Sequence, residues 1–399
     1  VSSSLTLVAN TRLPSERAQS LQVLQMAAAF ARAGARTRLL YARRKRVLPL
    51  PAGQDVFAYY AIPAGARPEL REVECADWIE SVPRALQFAP ARLQELSFAR
   101  AAARVAAQAW PEAATEVAQR VLSRELETAL ALVKRGHARC YLEIHRVPGG
   151  RLRRRWLLAA ARACRGVLAI SRGVAEDLQQ LGVAPEQLRV EHDGVEATRF
   201  ADLPQRSAAR AELGLPLEAR IAVYTGGLLA WKGVDLLVEA ARALPQHLFV
   251  VAGGMRADVE RLRERAGGLA NLRIDGFQAP QRVGLYLAAA DLGVVPNRSR
   301  PAISARYTSP LKVFEAKAAG LPLVASDLPS LREVLREDEA RFVAPDDAQA
   351  LTAGLRALLE DPAACARMGA AARARVGEHT WDARARRILS WMDAREARE

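Results

Sequence analysis

A chain of 399 residues is too long for one ordinary domain and reads as two of about 200 residues each. Half of it is hydrophobic, enough for sizeable cores, yet no run of about 18 apolar residues occurs, which excludes a protein built from membrane spans. The formal charge of +14 favours anionic partners: phospholipid, a phosphorylated acceptor or nucleic acid.

The charge is uneven. Residues 1–200 hold 30 Lys and Arg against 19 Asp and Glu, and residues 201–399 hold 28 against 25. An Arg-rich, solvated surface accounts for much of this, because 53 of the cations are Arg and 5 are Lys. No basic patch is interleaved with aromatics, so nucleic acid is not expected. Cys75, Cys140, Cys164 and Cys365 show no CxxC spacing and read as buried residues of a reduced, cytoplasmic protein. VSSSLTLVAN lacks the features of a signal peptide and reads as a first strand.

SLTLVA (4–9) is strand-like, NTRLPSER (10–17) a polar loop, and 18–32 a helix with Leu21, Leu24, Ala28 and Ala31 at helical spacing, closed by Gly34. RTRLLYA (36–42) is a second strand, giving a Rossmann-like opening without GxGxxG. RRKR (43–46) reads as a solvated edge, and 47–95 as loops and short elements. Stretches 96–109 and 113–134 look helical, and periodicity alone does not decide whether the second holds a short strand, EVAQRV. RCYLEIHRV (139–147) is a strand with Glu143 and His145 on one face, at the end where parallel strands bind ligands. RLRRR (151–155) opens a helix and reads as a solvated face or as a contact for an anionic acceptor. GVLAIS (166–171) is a buried strand, a helix follows from Ser171 to a stop at Gly182, and Asp193–Gly194 marks a turn.

Residues 201–219 read as the linker between domains. IAVYTGG (221–227) opens the second domain, its glycines allowing close approach of a ligand. Lys232 stands at the start of the next helix, where it would neutralise a phosphate. LFVVAGG (248–254), NLRIDGF (271–277) and DLGVVPN (291–297) are strands, and NRSRPAISARY (297–307) reads as a mobile loop.

YTSPLKVFEAKAAGLPLVASDLPSLREVL (307–335) is helix, strand, helix. Ser309 suits an N-cap and Pro310 a first helical residue; the helix runs from about Leu311 to Ala319 and stops at Gly320. Its free N–H groups and Lys312 suit a phosphate. Glu315 falls on or beside the apolar face, where a carboxylate needs a partner: an internal Arg or the hydroxyls of a ribose. ARFVAP, two helices and a final amphipathic helix with Trp381, Ala385, Ile388, Leu389 and Met392 inward complete the chain.

SPLKVFEAKAAGLPLVASDLPSLREV resembles the donor-site segment of retaining glycosyltransferases of the GT-B fold, family 4, and the likeness extends through 139–200 and 221–254. It implies an α/β fold of two Rossmann-like domains facing a cleft: 1–198 on the acceptor side, 199–378 for the donor, and 379–399 as a helix crossing back. It implies a nucleoside-diphosphate sugar bound by Gly226, Gly227, Lys232, Gly253, Tyr307, Thr308, Ser309, Pro310, Leu311, Lys312 and Glu315, with no cofactor or metal. Glu315 would hold the ribose, Lys232 and Lys312 the diphosphate, and His145 would approach the sugar. Arg12, Ser15, Arg17 and Arg153 become acceptor candidates, for an anionic or lipid-linked acceptor and contact with the inner face of a membrane. The sequence departs from the family at Tyr307, where a second glutamate is usual, and at Gly227, where an Arg is usual. A GT-B sugar-nucleotide epimerase and a non-catalytic lipid- or nucleic-acid-binding protein on the same fold are the alternatives.

Overall fold

A computed structural model describes residues 3–45, 47–108 and 119–397. Arg46 of the RRKR run and the 109–118 portion of the expected helices lie outside these. The chain divides into two compact units: residues 1–170, 174–191 and 381–399 form one, and 171–173 with 192–380 form the other.

The first unit is built on a parallel sheet of β1 (Ser4–Ala9), β2 (Arg36–Ala42), β3 (Glu69–Val73), β4 (Gln119–Ser123), β5 (Cys140–Ile144), β6 (Gly166–Ala169) and β7 (Leu188–Val190). Their order is β3-β2-β1-β4-β5-β6-β7. Every residue of β1 and of β5 is buried, as expected of strands covered on both faces. The helix Ala18–Arg32 packs against the last helix, Trp381–Glu396, and Arg32 Nε donates to Asp382 at 2.7 Å. Arg120, at the start of β4, binds Asp393 and Glu396 of that helix at 2.6 and 2.9 Å. The far end of the chain is therefore part of the first unit.

The second unit has β8 (Ile221–Thr225), β9 (Leu248–Ala252), β10 (Leu272–Gly276), β11 (Leu292–Val295), β12 (Leu323–Ser326) and β13 (Ala340–Val343), in the order β10-β9-β8-β11-β12-β13. In both sheets the strand order reverses beside the first strand, at β1/β4 and at β8/β11. Parallel sheets bind ligands at the carboxyl ends flanking such a reversal.

Four expectations need correction. The 201–219 segment contains a helix, Arg206–Leu213. Ala209 and Leu213 enter the core, and Arg210 Nη2 meets the buried Asp291 at 2.9 Å, so this stretch belongs to the second unit's body. The expected helix at 96–109 begins earlier, at Phe88. Residues 297–307 end in a π-helical turn, Ile303–Tyr307, rather than in open loop. Pro310, not Ser309, occupies the cap position of the helix Leu311–Ala319, because Ser309 Oγ accepts the backbone N–H of Asp193 at 2.8 Å.

Candidate functional site

The helix Leu311–Ala319 begins without a side-chain cap, since Ser309 is engaged elsewhere and proline offers none. Its first backbone N–H groups are left for another acceptor, and its dipole favours an anion there. Tyr307 and Thr308 are half-buried just before it, and Ser309 and Pro310 are buried.

Two lysines of this helix have opposite environments. Lys317 is buried and satisfied: Nζ lies 3.1 Å from Glu339 Oε2 and donates to the Val334 carbonyl at 3.2 Å. Lys312 Nζ is equally removed from water but has no hydrogen-bond partner. It rests 3.4 Å from the centre of the Tyr224 ring. Burial, and then repulsion from Lys232, hold its ammonium well below the usual lysine range, with Glu315 opposing. Lys232 closes the turn Ala230–Lys232, stacked 3.9 Å over Trp231, and burial pushes its pKa down to about 8. Two ammonium groups close enough to repel, one without any acceptor, call for an anion between them.

The backbone gives them room. Gly226 follows β8 at φ +120°, and a Cβ there would stand 3.3 Å from Lys312 Nζ. Gly253 follows β9 at φ +134°, where a Cβ would strike the Gly226 carbonyl at 2.2 Å. Both positions therefore require glycine. Gly227 is exposed, with open space around it, and its carbonyl accepts the Tyr224 hydroxyl at 2.6 Å.

Glu315 lies one turn beyond Leu311 and is half-buried. Burial raises its pKa, opposed by Arg199 and then Lys312. Among the described residues neither cation pairs with it within 4.0 Å. Arg199 gives its Nη2 to the Pro280 carbonyl at 2.6 Å, and burial lowers its pKa despite Glu315. The carboxylate thus has cations nearby and oxygens still able to accept from hydroxyls.

In the first unit, His145 Nε2 donates to Glu143 Oε1 at 2.6 Å. Glu143 is 1% exposed. Burial alone would raise its carboxyl pKa; Arg384, then His145 and Arg124, hold it well below the usual carboxylate range. Arg384, from the last helix, is also 1% exposed and lies 3.2 Å from Glu143 Oε2. His145 is therefore a positioned imidazole at the carboxyl end of β5, resting on an ionised Glu–Arg pair. Arg12 binds Glu16 and approaches Ser15 Oγ at 3.5 Å. Ser15 is buried, its N–H given to Tyr60 Oη at 2.9 Å, and Arg17 is exposed. Arg153 is tied to Glu127 at 3.1 Å and Glu95 at 3.9 Å, so it serves the helix packing of this unit.

The structure brings Gly226, Gly253, Lys232, Lys312 and Glu315 together in the second unit; Arg12, Ser15, Arg17, His145 and Arg153 belong to the first. Sequence reading missed Arg199, Arg384 and Asn297. Asn297, two residues beyond the end of β11, is wholly buried with neither amide atom hydrogen-bonded, beside a turn whose Trp231 carbonyl accepts from Arg298 N at 2.9 Å. An unsatisfied buried amide at a switch point is a recognisable site signal. In the sequence, the only trace was a polar residue closing an apolar strand. Among the described residues no group of three His, Cys, Asp or Glu is placed to hold a metal.

Residues 205–375 match the family described as glycosyl transferases group 1. Over 237 residues the chain is 30% identical to a D-inositol 3-phosphate glycosyltransferase of Xylanimonas cellulosilytica, covering 56% of this chain and 55% of that protein. It spans about half the length of the curated relatives it matches. Two solved structures superpose over essentially the whole chain. Sucrose-phosphate synthase from Thermosynechococcus elongatus has a TM-score of 0.76 at 20% identity, covering 100% of both chains. Anabaena Alr3699/HepE in complex with UDP and glucose has 0.74 at 15%, covering 98% of this chain and 99% of that one. The chain thus has the GT-B fold of known glycosyltransferases, and its second unit carries the group 1 glycosyl transferase pattern over residues 205–375.

Proposed function

We propose that this protein is a retaining glycosyltransferase of family 4 that moves a sugar from a nucleoside-diphosphate sugar to an anionic or lipid-linked acceptor. The observation that carries the reading is the Lys312 ammonium: buried, without an acceptor, repelled by Lys232, at the uncapped start of a helix. A diphosphate supplies the missing acceptors. As the bond to the sugar breaks, negative charge grows on the departing diphosphate, and Lys232, Lys312 and the Leu311 and Lys312 amides stabilise it. Glu315 accepts from the ribose hydroxyls, with Arg199 and Lys312 opposing the burial that raises its pKa. The acceptor hydroxyl attacks on the face the diphosphate leaves, so no protein nucleophile is required. His145, held by Glu143, is assigned to the sugar by resemblance. That Anabaena Alr3699/HepE was solved with UDP supports a uridine nucleotide as the first donor to test.

A thermal-shift screen with UDP, GDP, ADP and their sugars tests this, because a ligand of the native state raises the melting temperature by mass action. One diphosphate series should shift it well beyond the matching monophosphate and nucleoside. The absence of any shift would refute the reading. Release of free sugar with retained anomeric configuration, rather than an epimerised sugar nucleotide, separates a transferase from an epimerase. Turnover should survive a chelator; loss restored by Mg²⁺ or Mn²⁺ would count against this mechanism.

A further inference from the structure

Both lysines of the candidate site rest on aromatic rings, whereas Lys317, on the same helix as Lys312, rests on a carboxylate. Lys312 Nζ lies 3.4 Å from the centre of the Tyr224 ring, and Lys232 Nζ 3.9 Å from that of Trp231. Lys317 Nζ lies 3.1 Å from Glu339. The difference is chemical. A carboxylate accepts hydrogen bonds from an ammonium and competes with any ligand for it. A ring face attracts the charge but leaves N–H groups free to donate to an incoming phosphate. Tyr224 serves the site a second time. It is the fourth residue of β8 and wholly buried. Burial raises its pKa, so the phenol stays a donor, and it donates to the Gly227 carbonyl at 2.6 Å. Gly226 stands between them at φ +120°, its N–H given to the Ala252 carbonyl at 2.9 Å. A Cβ on Gly226 would stand 3.3 Å from Lys312 Nζ. One side chain therefore holds the lysine through its ring and the adjoining glycine turn through its hydroxyl.

We propose that Tyr224 is a positioning residue of the donor site: its face holds the Lys312 ammonium until a diphosphate takes it, and its hydroxyl fixes the turn at Gly226 and Gly227. The inference rests on the reading of this site as a diphosphate site. Binding exchanges the ring contact of Lys312 for charge-assisted hydrogen bonds to phosphate oxygens. Tyr224 acts through Lys312 and Gly227 and takes no part in the bond changes. The other charged groups that act on Lys312 are Lys232 and Glu315, and both stay in place when Tyr224 is replaced.

The test is NMR of protein labelled with ¹³C-lysine, which is simple to assign by Lys→Arg variants because the chain has 5 Lys. The Lys312 Cε protons should lie upfield, displaced by the ring current, and return to the ordinary position as UDP or pyrophosphate fills the site. In Tyr224→Phe they should stay upfield, while UDP affinity falls roughly threefold to tenfold, the worth of one hydrogen bond. In Tyr224→Leu they should take the ordinary position, and the Lys312 titration midpoint should fall by about one pH unit. UDP affinity near neutral pH should then fall roughly tenfold and recover on acidification, as the lysine regains its proton. Uridine affinity should not change in either variant, which separates positioning of Lys312 from a general loosening of the fold. Tyr224→Phe keeps ring and volume, so the comparison holds even where Tyr224→Leu does not fold. A wild-type Lys312 signal at the ordinary position would overturn the proposal even in a protein that binds UDP. So would Tyr224 variants that bind UDP and pyrophosphate like the wild type. If Lys312 lies upfield and neither ligand moves it, the donor reading itself fails, and the role of Tyr224 with it.

Discussion

Replacing Lys232 or Lys312 by Met should make the protein more stable and worse at binding its donor. Burial lowers Lys232 from 10.5 to about 8. At about 1.4 kcal/mol per pK unit, keeping this site charged below pH 8 costs the fold about 3 kcal/mol. The residue is only half-buried, and the Trp231 face returns up to about 1 kcal/mol, so Lys232→Met should gain about 1–2 kcal/mol. Lys312→Met should move the same way, since its ammonium has no hydrogen-bond partner. Each change removes a charge-assisted hydrogen bond to the diphosphate, worth about 1.5–3 kcal/mol, so UDP affinity should fall roughly tenfold to a hundredfold. The pH dependence has a definite sign. Between pH 8 and 10.5 the unfolded chain binds more protons at Lys232 than the folded one, so wild-type stability rises through that window. The advantage of Lys232→Met is therefore full below pH 8 and gone above 10.5. Diphosphate affinity of the wild type should decline as pH passes 8, because the free site loses its proton there. Melting scans across pH and calorimetric titration with UDP measure both. A variant that is destabilised while binding UDP normally would show that the lysine is a structural group.

Glu315→Ala should weaken nucleoside-diphosphate binding by roughly 2–4 kcal/mol, two hydrogen bonds to a charged group, without unfolding the protein; a collapse in stability with affinity intact would make the carboxylate structural. Lys317→Ala, five residues away from Lys312, should do the reverse: it removes one of the two cations on the buried Glu339, which keeps Arg375 at 3.2 Å, costing about 1.5–3 kcal/mol in denaturant titrations, and leaves UDP affinity of the folded protein unchanged. Arg384→Met removes the cation 3.2 Å from the buried Glu143 and should destabilise the first unit by about 3–5 kcal/mol, leaving Glu143 to His145 and Arg124, read as a lower kcat with unaltered UDP affinity; unchanged turnover would remove this Glu–Arg pair from the chemistry.

Local patterns carried most of the fold. Short apolar runs such as β6 and β12 read as buried strands of a parallel sheet, and Gly34, Gly182 and Gly320 marked where helices stop. The errors arose where a distant partner overruled a local preference. Ser309 is a good cap by type, yet a backbone N–H from Asp193, 116 residues away, takes its hydroxyl. The 201–219 segment has linker composition, but the buried Asp291 draws Arg210 in and fixes a helix there.

The site divides the same way. Sequence by itself determined that a helix opens with Lys312 and Glu315 one turn apart, that Lys232 stands just ahead of another, and that Glu143 and His145 share one face at the end of a strand, because these are consequences of period and spacing. It placed Lys312 in the first turn and so beside a phosphate, but not which lysine of that short helix would find a protein acceptor. Only tertiary structure decided that one meets Glu339 and the other meets no acceptor. It alone brought Arg199 near Glu315, and Arg384, from the far end of the chain, onto Glu143. The physical reason is that a buried charge is defined by its neighbours, and those neighbours stand from 22 residues away along the chain, for Lys317 and Glu339, to 241, for Glu143 and Arg384.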